Sequence, residues 1–274
     1  MLERVLIALD LEGVNNVVGV PYSGLAIGSD EWEIARRQAA LEVNAAAEAL
    51  FSKGISRVAL WDNHGGGGNI DPTDLDTRVE LLSPDKSLPR MYFGSEFDGV
   101  CFFGYHTMEG TLGGVLAHTM NSKMVQHYKL NGRYIGEIDM DAYIAASHGI
   151  PSLFYAGGDI ACSQAKRAVP EIVTVVTKKE LSRNKAEYRD NQELLAEIGS
   201  KIAEAVDKNV PIDVLTYPAT FEKSFKRVED AAVYLELLLS LGIEAAYPCE
   251  EILGKDAHTV VSKINSIDDF IACI

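Results

Sequence analysis

Apolar and polar positions along the chain alternate between strand-like runs and helical spacing. Leu2 to Leu9 is an apolar run of strand character that ends abruptly in Asp10-Leu11-Glu12-Gly13. After a Gly- and Asn-containing loop, Trp32 to Phe51 carries Ile34, Ala39, Leu41, Val43, Ala46 and Leu50 and closes at Lys53-Gly54, which predicts a long helix. Ile55 to Trp61 is a second strand, so the chain opens with a βαβ unit. A short helix is predicted over 74–82 and a third strand over Gly99 to Tyr105, ending in His106. Met124 to Leu130 and Arg133 to Ile135 flank Asn131-Gly132, a strong hairpin signal. A helix follows from Gly136 to Gly149, then a strand over Ser152 to Ala156 and a helix containing Ala161 and Ala165. Further on, strands are predicted at 172–176, 212–217 and 259–262, and helices at 188–206, 229–241 and 267–273. The fold class is α/β: a three-layer sandwich around a mostly parallel sheet, with a β-hairpin insertion and an α+β C-terminal part. The 274 residues read as one α/β unit, with the single candidate for a subdomain boundary near Pro211.

Composition narrows the partners. The formal net charge of -15 disfavours nucleic acid and anionic membrane surfaces, both of which would be repelled. No apolar run approaches membrane-spanning length. The N-terminal run lacks the basic flank and length of a signal peptide, so a cytoplasmic location is expected. Cys101, Cys162, Cys249 and Cys273 are far apart and form neither a zinc spacing nor a disulfide framework.

The candidate chemistry sits where strands end. Side chains alternate faces along a strand, so Asp10 and Glu12 project to one side, where two close carboxylates usually share a proton or hold a cation, the alternative being a strand end that simply emerges into water. The second strand runs into Asp62-Asn63-His64 followed by four glycines, which let backbone approach the imidazole closely. That glycine run lacks the Lys-Ser/Thr ending of a P-loop. His106 closes the third strand, and Glu137 opens a helix. In open α/β sheets the carboxyl ends of the strands converge on one crevice. Asp10, Glu12, His64, His106 and Glu137, with His118 nearby in sequence, therefore form a candidate metal site. Oxygen and imidazole ligands without thiolate suit zinc and, less specifically, manganese, cobalt or iron. His127, His148 and His258 need no metal, and Cys101 and Cys162 read as small core residues.

Asp10-Leu11-Glu12-Gly13, Asp62-Asn63-His64, Gly104-Tyr105-His106, Ala117-His118-Thr119-Met120 and Asn131-Gly132-Arg133 through Gly136-Glu137 occur in this order and at intervals that resemble the DppA-type zinc-dependent D-aminopeptidase family. The resemblance covers the first two thirds of the chain. It implies two Zn2+ per chain, other divalent metals remaining open, with Asp10 bridging the ions. Glu12, His64, His106 and Glu137 match the remaining ligands, and His118 matches the family's catalytic histidine. The implied activity is hydrolysis of short peptides with an N-terminal D-amino acid of D-Ala type, by water or hydroxide activated at the two-metal site. A homo-oligomer, as a decameric ring, is implied as well. Two alternatives stand beside this: a metallohydrolase of another amide or small-molecule specificity, and a non-catalytic, metal-stabilised peptide-binding protein.

Overall fold

The computed structural model describes residues 2–83, 91–94, 96–248 and 257–274; Cys249 lies outside them. In chain order the first half contains β1 (Arg4–Leu9), α1 (Asp30–Ser52), β2 (Arg57–Asp62), β3 (Glu80–Leu81), β4 (Gly99–Phe103), β5 (Val125–Leu130), β6 (Arg133–Ile135) and α2 (Glu137–Ser147). Then come β7 (Ser152–Gly157), α3 (Asp159–Ala168), β8 (Val173–Val176), β9 (Lys178–Ser182), β10 (Lys185–Tyr188) and α4 (Asn191–Asp207). The chain closes with β11 (Ala219–Phe225), α5 (Val228–Ser240), β12 (Ala245–Ala246), β13 (Thr259–Ile264) and α6 (Ile267–Cys273).

A six-stranded parallel sheet in the order β3-β2-β1-β4-β7-β8 organises the molecule. Its inner strands are apolar throughout because both faces are covered. Val5, Ile7 and Leu9 pack with Ala39, Val43 and Ala46 of α1 and Leu194, Ile198 and Ile202 of α4. Leu6 and Ala8 face the other way, into a second core with Ile138 and Ile144 of α2 and Ala161 and Ala165 of α3. That core is capped by an antiparallel sheet, β12-β13-β11-β5-β6, whose Phe221 and Tyr128 are fully buried. β1 lies between β2 and β4, so the chain leaves it in one direction for β2 and β3 and returns on its other side as β4. This reversal is where an open α/β sheet forms its crevice. No described helix is long and apolar enough to cross a membrane.

Two expectations fail, and one hairpin goes unpredicted. Residues 74–82 do not form a helix: Pro72–Asp74 is a single 3-10 turn, and β3 then adds to β2 in parallel. Here Asp71 accepts from Thr73 N–H and Asp76 from Arg78 N–H, so local side-chain bonds compete with helix formation. The strand predicted over 212–217 is absent, and β11 begins at Ala219, after Pro218. Pro211 and Pro218 bracket the predicted run, and neither can donate to a ladder. The β9–β10 hairpin was not expected at all. Its Lys-Lys-Glu-Leu-Ser strand carries no apolar alternation, and the alternation of Lys-Ala-Glu-Tyr is only four residues long.

Candidate metal centre

The parallel strands deliver their last side chains to one point. Asp10 and Glu12 follow β1, His64 follows β2, His106 follows β4, and Glu137 is the first residue of α2. All five except His64 are less than a tenth exposed. The crossing of the two central loops is too close for side chains. A Cβ on Gly104, which holds φ +68°, would fall 1.9 Å from Asp10 O, and one on Gly13 would fall 2.2 Å from Tyr105 O. Glycine at both positions lets the segments bearing Asp10, Glu12 and His106 touch through backbone alone.

His64 Nδ1 lies 2.9 Å from Asp10 Oδ1 and 3.0 Å from Glu12 Oε2. His106 Nε2 lies 3.2 Å from Glu137 Oε1 and 3.5 Å from Asp10 Oδ2, yet this buried nitrogen has no hydrogen-bond partner. His106 Nδ1 donates to Thr107 O at 2.9 Å, which leaves Nε2 as the ring atom aimed at the carboxylates, a lone-pair donor once its proton is displaced. A ring whose other N–H is fixed on a main-chain carbonyl is the usual posture of a metal-ligating histidine. The ring of His118 stacks on His106 at 3.8 Å and 11°, and its Nδ1 donates to Leu116 O at 2.8 Å. Its Nε2 is thereby also the lone-pair nitrogen. Two overlapping groups result, Asp10, Glu12 and His106, and His106, His118 and Glu137, each with its donor atoms within 4.8 Å of one another.

The electrostatics express a shortage of positive charge. Burial, then the neighbouring Glu12 charge, push the Asp10 carboxyl up to about 7. Burial acts the same way on Glu12, but the charge and hydrogen bond of His64 outweigh it and hold the group well below the ordinary carboxylate range. Burial would lower both His64 and His106, but the carboxylates override it: Glu12 and Asp10 raise His64 to about 11, and Glu137, with Asp10, raises His106 to about 10. In contrast, burial and the adjacent His106 charge hold His118 below its ordinary value. Three carboxylates that keep protons on two imidazoles are a set that a divalent cation would satisfy by displacing those protons. The oxygen and imidazole donors suit zinc.

All six residues singled out in the sequence thus come together. Of the other polar residues nearby, Asp159 Oδ1 accepts from Glu180 N, whereas Glu109 Oε2, 3.8 Å from Lys226 Nζ, is buried without a hydrogen-bond partner. His127 pairs with Glu222, His148 caps α2, and His258 faces Phe225 O. The supports of the centre were not read from the sequence. Asp62 accepts from Asn69 N–H and closes the glycine loop. Tyr105 donates to Asp141 and accepts from Asn63, the neighbour of His64. Glu180 accepts from Val115, Ile160 and Ala161 N–H, tying the His118 loop to the start of α3. Thr177, just after β8, and Lys178, the first residue of β9, hold the chain after Glu12. Applying the strand-end rule to β8 as well would have found the last pair. Beside the His118 loop a cavity of about 490 Å³ is lined by Glu109, Thr111, Leu112, Ala117, Leu181 and Arg183, among others.

Fold and cluster define an α/β protein with a carboxylate and imidazole centre of metal-binding composition. A family model described as D-aminopeptidase matches residues 3–240, and the chain belongs to that family. It is 29% identical over 184 residues to a D-aminopeptidase of Bacillus subtilis (strain 168). That alignment spans 66% of this chain and 65% of the relative's length, just under two thirds of it. Among solved structures it resembles the Zn-dependent D-aminopeptidase DppA from Bacillus subtilis, described as a self-compartmentalizing protease. The TM-score is 0.82 over 98% of this chain and 94% of that one, at 23% identity, so the two share a fold.

Proposed function

We propose that the chain is a zinc-dependent aminopeptidase that hydrolyses short peptides with an N-terminal D-residue, of the D-Ala type. The observation that carries the proposal is His106 Nε2, buried, without a hydrogen bond and aimed between the carboxylates of Asp10 and Glu137. Membership of the D-aminopeptidase family and the zinc dependence of the structural neighbour support the same reading. Asp10, Glu12, His64, His106 and Glu137 would hold two ions, Asp10 lying within 3.5 Å of both His64 and His106. When bound, zinc supplies Lewis acidity to a substrate carbonyl and lowers the pKa of water.

The chain's own residues supply the rest. His118 is the general acid/base. Its Nδ1–H is fixed on Leu116 O, its ring is held flat against His106, and burial favours the neutral form, so Nε2 can take a proton at neutral pH and return it to the leaving amine. Glu137 accepts from Met120 N–H at 2.8 Å and so ties the His118 loop to the ligand set. Assembly into a homo-oligomeric ring, a decamer in the resembled family, is part of the proposal; it is supported by the neighbour's self-compartmentalizing character and by exposed Tyr22, Ile27 and Leu112. Sedimentation of the purified chain tests it, and a monomer would refute it. A cytoplasmic location is proposed with it.

The activity is tested by hydrolysis of matched D-Ala and L-Ala dipeptides, with and without chelation and zinc add-back. D-selective cleavage lost on chelation and restored by zinc is expected. Zinc-restored cleavage of amides other than D-peptides would leave the centre and refute the specificity; no zinc-dependent cleavage of any substrate would refute the enzyme.

A further inference from the structure

The segment from Leu11 to Val17 follows β1 directly and is almost entirely buried. It has no regular structure, so its main-chain carbonyls need donors from elsewhere. Lys178 provides them. The side chain is 1% exposed, and its Nζ donates to Glu12 O at 2.5 Å, Val14 O at 2.8 Å and Val17 O at 2.5 Å. An ammonium has three hydrogens, and all three are spent on this one segment. Thr177 adds a fourth tie, its hydroxyl donating to Gly13 O at 2.6 Å. The opposite side of the segment is pressed on Gly104 and Tyr105, where no Cβ would fit on Gly13. Glu12 therefore has its carboxylate in the centre and its own carbonyl on a buried lysine.

We propose that Lys178, seconded by Thr177, is a positioning residue of the metal centre: it sets the main chain of Glu12 so that the carboxylate meets His64 and Asp10. This rests on the zinc centre proposed above. The sign of the effect separates positioning from charge. A fixed cation near a divalent ion opposes binding, so if Lys178 acted only through its charge, its removal would tighten zinc. If it positions Glu12, removal must weaken zinc despite the relief of repulsion.

The test is chelator competition for zinc by the full chain, wild type against K178M and T177V, with circular dichroism on each metal-free protein. K178M is expected to bind zinc about 10- to 100-fold more weakly, the usual effect of losing a residue that orients a ligand. T177V should change in the same direction by less. The visible spectrum of the cobalt-loaded protein should shift in K178M, because the ligand geometry changes, whereas a purely structural role would leave it alone. Equal or tighter zinc binding by folded K178M overturns the inference. Should K178M fail to fold, T177V decides: weaker binding supports the inference and unchanged binding overturns it. Failure of the wild type itself to bind zinc would overturn the centre, and this inference with it.

Discussion

The crevice of the parallel sheet and the interior of the antiparallel sheet both bury charge, and they do so in opposite ways. In the antiparallel sheet Lys223 is nine-tenths buried, with Nζ donating to Ile274 O at 3.0 Å and lying 4.4 Å from the Tyr234 ring centroid and 5.1 Å from that of Tyr128. Carbonyls and aromatic faces satisfy that ammonium. In the crevice, three carboxylates and three imidazoles converge, and a buried nitrogen of His106 aims at two carboxylates without hydrogen-bonding either. Burial of charge alone therefore does not mark a site in this molecule. Convergence of donors that cannot satisfy one another does.

The contrast can be broken most sharply at Asp10. D10N should lose zinc and turnover together, measured by elemental analysis and dipeptide hydrolysis, whereas K223M should lose neither. H118A comes next: kcat should fall about 10²- to 10⁴-fold, the range for a lost general acid/base, with zinc content unchanged. Loss of zinc as well would make His118 a ligand.

The remaining effects are on stability. Burial pushes Lys223 down from 10.5 to about 8, so between these values the unfolded chain binds a proton that the folded chain does not. The penalty is full below about pH 8 and is relieved as pH rises towards 10.5, by at most about 1.4 kcal/mol per pH unit. Denaturant titrations of wild type and K223M across this window should show that slope in the wild type only. Glu42, fully buried, is pushed up to about 7 from 4.5 by burial, the bonds from Asn15 and Gln38 acting against it. Its folded form keeps a proton that the unfolded chain releases, so its cost grows as pH rises from 4.5 through 7. E42Q should raise stability by on the order of 2 kcal/mol at pH 8 and by almost nothing near pH 4. Equal effects at both pH values would show that Glu42 is not held as the acid.

The crevice was legible in the sequence because its ligands are the residues at which apolar runs stop: Asp10, His64 and His106 each mark a strand end. The antiparallel sheet was read only in part. Asn131-Gly132 announces β5 and β6, but β11 was misplaced because the local pattern before Pro218 looks as strand-like as the one after it. β9 and β10 were not legible because they pair with each other and the inward positions of β9 are Lys178 and Glu180, charged residues that an apolar pattern does not flag. Lys178 was passed over for a related reason. A lysine is ordinarily a surface residue, and only the fold shows three buried carbonyls waiting for its ammonium.

Zinc bound per chain at equilibrium dialysis, wild type beside D10N, tests the centre most directly. Two ions per folded wild-type chain and a clear loss in D10N are expected. A folded wild type that retains no zinc, or a D10N chain that holds as much as the wild type, would contradict the assignment of the strand-end cluster as a metal centre.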